Sequence, residues 1–334
     1  MPTVLFKHIA GAAAASALLG FSAAAFAQAA QQPDPPKPAA ATEHENKAKA
    51  LAGKDPYLIN LATNGFWCMS PATGNHFRSL PSKDAAPPVQ AFDNLYMFGT
   101  GYVSAYVLKT SAGLIMWDTL DNEKEVREIL EPGMKQFGLA MADVKMVILT
   151  HYHGDHSGGA KYLQDTYHLP IALSGPDWDA MAATPVRPGG PPMPAKDKVL
   201  TDGQKITIGD TTVEVVLTPG HTPATVSSIT TVKDKGVNRV MALWGGTAYP
   251  ATMAGLGMMR TSIQHMKERA TAAGAVGLLN THGFFDKLNE RALARGNAPE
   301  NPLVIGADRV QGSLAIYGEC LESMSAWYTA MGRK

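Results

Sequence analysis

His151-Tyr152-His153-Gly154-Asp155-His156 packs three imidazoles and a carboxylate into six residues. Protonated, these rings would repel one another; neutral, their lone pairs need partners. A divalent cation answers both demands, because imidazole nitrogen and carboxylate oxygen are ligands that zinc takes. The alternative is a polar surface turn that is rich in histidine by chance. The flanks restrict the fold. Val144 to Leu149 is a mostly apolar run with two valines and an isoleucine, and reads as a buried strand. Ser157-Gly158-Gly159 followed by Ala160 to Leu163 reads as a turn into a helix. The ligands therefore sit at the carboxyl end of a strand, where α/β folds build their sites. His151 and His153, two apart in an extended loop, can face one ion. Asp155 and His156, further round the bend, can reach a second.

The rest of the chain alternates strand and helix signals. Strands are expected at Leu95 to Phe98, Val103 to Leu108, Gly113 to Asp118 and Pro170 to Ser174. Glu123 to Glu131 has helical spacing, and Pro132-Gly133 should kink or end it. A second series follows: a hairpin of Lys205 to Ile208 with Thr212 to Leu217, and strands at Val226 to Val232, Arg239 to Trp244 and Val276 to Asn280. Helices are expected at Thr261 to Ala273 and Leu314 to Met331. Two halves of similar order fit one domain of two facing sheets with helices outside. Met181 to Leu200 holds five prolines and Gly189-Gly190. It is expected to be irregular, as a wall of a site or a plain surface excursion.

Two further strand ends carry histidine. Thr218-Pro219-Gly220-His221-Thr222 follows Val213 to Leu217, and Pro-Gly makes a tight turn that presents His221. Leu278-Leu279-Asn280-Thr281-His282-Gly283 repeats the arrangement. Five histidines and one aspartate suit two zinc ions with three protein ligands each, leaving positions open for water.

The charge balance, 29 basic against 29 acidic residues with no Lys/Arg run, argues against a nucleic-acid partner and leaves a small molecule. Residues 1–27 read as a secretory signal: Lys7, an apolar run from Ile9 to Phe26, and Ala25-Phe26-Ala27 as a small-x-small cleavage site. The alternative is an uncleaved anchor. Cleavage would leave no stable membrane anchor and a periplasmic or secreted protein. Residues 28–56 read as a flexible leader without apolar periodicity, and 57–334 as the folded domain. Cys68 and Cys320 are the only cysteines, and their pairing stays open.

His-x-His-x-Asp-His, then Thr-Pro-Gly-His-Thr and a late strand-end histidine, resembles the metallo-β-lactamase superfamily across Asp93 to Trp327. The resemblance implies an αββα sandwich, two facing mixed sheets with outer helices, and zinc-dependent hydrolysis of a small molecule. It implies one Zn2+ on His151, His153 and His221, and a second on Asp155, His156 and His282, with Asp155 also orienting the attacking water. Asp118, which ends a strand, looks like a buried aspartate that orients a ligand imidazole. Many dinuclear members place a metal-bridging aspartate just after a strand. The matching stretch here, Leu243-Trp244-Gly245-Gly246-Thr247, has none, and it also lacks a serine often found there. That pattern, with Asp93 to Tyr96 and Asn280 to Lys287, is similar to the third subclass of class B β-lactamases. The implied activity is opening of a β-lactam amide; the alternative is a lactone, ester or other amide. Tyr152, Trp244, Tyr249, Phe284 and Phe285 read as core aromatics that could instead wall the site, Thr225 as a strand-opening residue, and His265 as solvent-facing.

Overall fold

In the strand Gly113–Trp117, Ile115 and Trp117 join one buried cluster while Leu114 and Met116 join another. Alternate residues of a strand point to opposite faces. A strand buried on both faces belongs inside a layered fold, and this one is β4 of a seven-stranded sheet. The computed structural model describes residues 36–63, 68, 82–185 and 188–333. The expected signal segment, residues 1–27, and His76 lie outside the described residues.

The first sheet runs in order β1 (Val89–Gln90), β2 (Leu95–Gly99), β3 (Ser104–Thr110), β4, β5 (Val144–Ile148), β6 (Ile171–Ser174) and β7 (Lys198–Leu200). Pairing is antiparallel from β1 to β4 and parallel from β4 to β7. The second sheet has the order β12-β11-β10-β9-β8, from β8 (Lys205–Ile208), β9 (Thr211–Leu217), β10 (Val226–Asp234), β11 (Val237–Trp244) and β12 (Gly277–Asn280). Its pairs are antiparallel except β11 with β12. Both sheets are mixed, as expected.

Three apolar layers hold these sheets. Between them, Tyr106, Ile115, Trp117 and Ile148 of the first meet Val213, Val215, Met241 and Leu279 of the second. Outside the first, Val107, Met116 and Val147 pack on Leu130, Leu163 and Trp178 of helical segments. Outside the second, Ala242, Trp244 and Leu278 pack on the helices Met253–Ala273 and Ala307–Ala330. Each fully buried Val, Leu or Ile contributes roughly 1.5–3 kcal/mol, so the two sheets are held face to face as a helix-sheet-sheet-helix sandwich. Among the described residues no helix is long and apolar enough to cross a membrane.

Some boundaries differ from expectation. The flexible leader does not extend to residue 56. Ala39–Ala52 is a helix packed on the terminal helix, burying Ala41, Ala48 and Ala52. Alanine is the strongest helix former, but a face of methyl groups carries no conventional apolar periodicity, so the pattern is silent in sequence. Helix Pro56–Thr63 follows it. The helix at Glu123 does not end at Pro132. It passes through a π-turn at Val126–Leu130 and continues as Glu131–Gln136. Proline lacks an N–H and crowds the carbonyl four residues back, and a π-turn is one way to absorb that. The helix expected from Thr261 starts at Met253, where the Thr252 hydroxyl accepts from Gly255 N–H as an N-cap. Cys68 and Cys320 form a disulfide across 252 residues, tying the N-terminal segment to the terminal helix.

Candidate metal centre

Five strand ends meet at one edge of the sandwich. β5 leads into His151, β9 into the turn before His221, and β12 into His282; Asp118 follows β4 and Gly245 follows β11. After His153 the chain makes one helical turn, Gly154–Ser157, closed by His156 and Ser157 N–H groups donating to the His153 carbonyl. That turn brings Asp155 and His156 round to the far side of His151. Gly220 N–H donates to Thr222 C=O at 2.9 Å, which fixes the bend that presents His221. The His282 N–H donates to Asn280 Oδ1 at 3.0 Å.

All six expected ligands converge. His151, His153 and His221 offer ligand atoms within 4.8 Å of one another, and His151 Nε2 lies 3.1 Å from His221 Nε2. On the other side His156 Nε2 lies 3.1 Å from His282 Nε2, and Asp155 Oδ2 lies 3.3 Å from both. His151 also lies within 4.8 Å of the Asp155 and His156 ligand atoms, so the two groups share one space. The spacing fits metal. With Zn–N bonds of about 2.0–2.1 Å, neighbouring ligands of a tetrahedral ion sit about 3.3 Å apart.

Each of four imidazoles turns Nε2 inward because its Nδ1 is held from behind. His151 Nδ1 is 3.1 Å from Gly245 C=O, His221 Nδ1 2.8 Å from Ala248 C=O, and His282 Nδ1 2.8 Å from Tyr102 C=O. His156 Nδ1 faces Asp118 Oδ2 at 2.7 Å. Asp118 has φ +59°, a left-handed backbone at a non-glycine residue, and also accepts from Thr150 N–H and Thr150 Oγ. An acceptor behind a ligand imidazole fixes its tautomer and makes it a better ligand. The expected role of Asp118 is thus met at His156.

Burial holds His151 well below the usual imidazole range, and its neighbours His156, His221 and His153 add to this. Burial likewise lowers His153 to about 4 and His221 to about 3. These rings are neutral near pH 7, the form that offers a lone pair. His156 behaves oppositely: burial opposes its charge, but Asp155 and Asp118 outweigh that and raise it to about 10. Asp155 is held far below the carboxylate range, with His156 and His282 overcoming its burial. The Asp118-His156-Asp155 array therefore favours positive charge at His156 Nε2, which a proton or a metal ion can supply.

Gly245 and Gly246 occupy the place where a bridging carboxylate could enter. A Cβ on Gly246 would lie 2.6 Å from His221 Cβ, so no side chain fits there. The remaining expectations divide. Trp244 and Phe285 are core. Tyr249 and Phe284 are partly buried, and Phe284 lies with Tyr102 beside the His282 ring. Tyr152 and Met193 pack half-buried against the outer core, and Pro191 lies near Gly154. The proline-rich stretch is shorter than expected, since Gly175–Ala183 is helical. Thr225 is buried and bonded to Thr222, a structural role. His265 is partly exposed and faces Asp202. Thr150, Tyr102 and the carbonyls behind the imidazoles were missed. Only Thr150, next to His151, had a sequence signal.

A family model described as the metallo-β-lactamase superfamily matches residues 98–233. The matched stretch, residues 98–233, is a metallo-β-lactamase superfamily domain. The metallo-β-lactamase fold is shared with a subclass B3 enzyme of Bradyrhizobium japonicum at TM-score 0.62 and 23% identity, covering 75% of this chain and 97% of that one. A subclass B3 metallo-β-lactamase from a soil metagenome library gives TM-score 0.63 at 22% identity, covering 75% and 99%. A hydroxyacylglutathione hydrolase of Idiomarina loihiensis is 26% identical over 112 residues, which is 32% of this chain. This metallo-β-lactamase-fold chain spans only 39% of that relative's length.

Proposed function

We propose that this protein is an exported, zinc-dependent hydrolase of the metallo-β-lactamase superfamily that opens a β-lactam amide. One observation carries the reading: four imidazole nitrogens and Asp155 converge around one small space, while Gly246, pressed on His221, excludes a bridging carboxylate. His151, His153 and His221 would hold one ion, and Asp155, His156 and His282 the other. Bound zinc would polarise the scissile carbonyl and lower the pKa of a water toward 7. Asp155, partly exposed and 3.3 Å from both His156 and His282, would hold and aim that water. The carbonyls of Gly245, Ala248 and Tyr102 keep the imidazoles from turning. Tyr102 and Phe284, beside the His282 ring, supply an apolar wall that sheds water from a bound ring. No Ser or Cys nucleophile is required, so no acyl-enzyme forms.

Export is supported by the Lys7 to Ala27 pattern and by the Cys68–Cys320 disulfide, a bond that persists in oxidising compartments. A second reading, hydrolysis of a lactone, ester or thioester, is favoured by the hydroxyacylglutathione hydrolase relative. Zinc-loaded protein assayed over cephalosporins, carbapenems, lactones and thioesters, with and without chelator, separates the two. Chelator-sensitive loss of β-lactam absorbance is expected. Turnover confined to thioesters or lactones overturns the β-lactam assignment.

A further inference from the structure

Asp177 takes no part in the ligand set, yet it touches both loops that carry the three-histidine group. It lies in the first turn of the helix Gly175–Ala183, where Ser174 caps its N–H, and it is fully buried. Its Oδ2 accepts from Tyr152 N–H at 3.2 Å, the amide between His151 and His153. Its Oδ1 accepts from Ala224 N–H at 2.8 Å, three residues past His221. The Thr222 hydroxyl also faces the carboxylate. Among the described residues no Lys or Arg pairs with it; burial raises its carboxyl above the usual carboxylate range, and the N–H and O–H groups and the helix N-terminus oppose that rise. A buried carboxylate is costly unless it is fully hydrogen-bonded. Here both oxygens are committed, one to each ligand loop.

We infer that Asp177 is a positioning residue for the first metal alone: one carboxylate ties the His151–His153 loop to the His221 loop and sets the spacing of their three imidazoles. Two acceptor oxygens are needed, because each loop presents a donor. The isosteric amide of asparagine would turn an N–H toward one of those donors. The second group is held separately, through Asn280 Oδ1 to the His282 N–H and Asp118 to His156.

The inference rests on the metal-centre reading, and the test separates the two. Zinc affinity is measured by chelator competition in His282→Ala, which leaves only the first group intact, and in His221→Ala, which leaves only the second, each with and without Asp177→Asn. The expected result is a loss of about tenfold or more in the His282→Ala background and less than twofold in the His221→Ala background. Equal losses in both, or none in either, overturn the positioning role. Wild-type protein that binds no zinc overturns the metal-centre reading and this inference with it. Amide exchange in the wild-type protein gives an answer independent of any variant's folding: Tyr152 and Ala224 N–H are expected to be strongly protected, and exchange at free-loop rates overturns the clamp.

Discussion

Gly246→Ala tests why no side chain stands beside the first ligand group. The added methyl carbon would sit 2.6 Å from His221 Cβ and 3.0 Å from Cγ. Carbon atoms rest about 3.5–4.0 Å apart, so His221 or the glycine backbone must yield by about 1 Å. His221 has little slack: Nδ1 is held by Ala248 C=O at 2.8 Å and Nε2 stands 3.1 Å from His151 Nε2. Overpacking of this kind costs about 1–3 kcal/mol. A displaced ligand should weaken zinc at the first group at least about tenfold, the scale seen when ligand orientation is disturbed. Urea denaturation of the metal-free chain reads the first effect, and chelator competition the second. Gly246→Asp should do worse, and should not gain thioester hydrolysis. The reasoning is refuted if Gly246→Ala unfolds at the wild-type midpoint and binds two zinc ions with wild-type affinity.

Asp118→Ala strands Thr150 N–H in the interior and removes the close acceptor behind His156 Nδ1. At about 1–3 kcal/mol per stranded group, a loss of that size in urea stability is expected, with weaker zinc at the second group. Cys320→Ser opens the disulfide across 252 residues and should lower stability by about 2–5 kcal/mol while leaving zinc stoichiometry at two. Chelator dialysis should abolish hydrolysis and lower the melting temperature, because metal binds only the folded chain; full activity after verified metal removal would contradict the mechanism. Tyr102→Ala removes the ring stacked on Phe284 beside His282 but keeps the backbone carbonyl behind Nδ1. It should raise KM with little change in zinc affinity.

The sequence alone singled out the candidate ligands and the layered architecture, because both are local patterns. Val144 to Leu149 is apolar enough to be a buried strand, and the histidines follow it within a few residues, so chain connectivity places them at its end. The same holds at β9 before His221 and at β12 before His282. The two series of strand and helix signals likewise pointed to two facing sheets, which the structure has. The helix Ala39–Ala52 was not legible, because its buried face is made of alanine methyls whose partner, the terminal helix, lies more than 250 residues away.

Only the tertiary structure decided what stands behind the ligands. Backbone carbonyls of Tyr102, Gly245 and Ala248 carry no side-chain identity and so leave no trace in the sequence. Asp177 is one aspartate among many in the sequence, until folding brings its helix against two loops at once. The absence of a carboxylate at Gly246 was visible as a letter. Its physical cause, the His221 ring lying where a side chain would have to be, exists only once β9 and β11 are brought to the same edge of the sandwich.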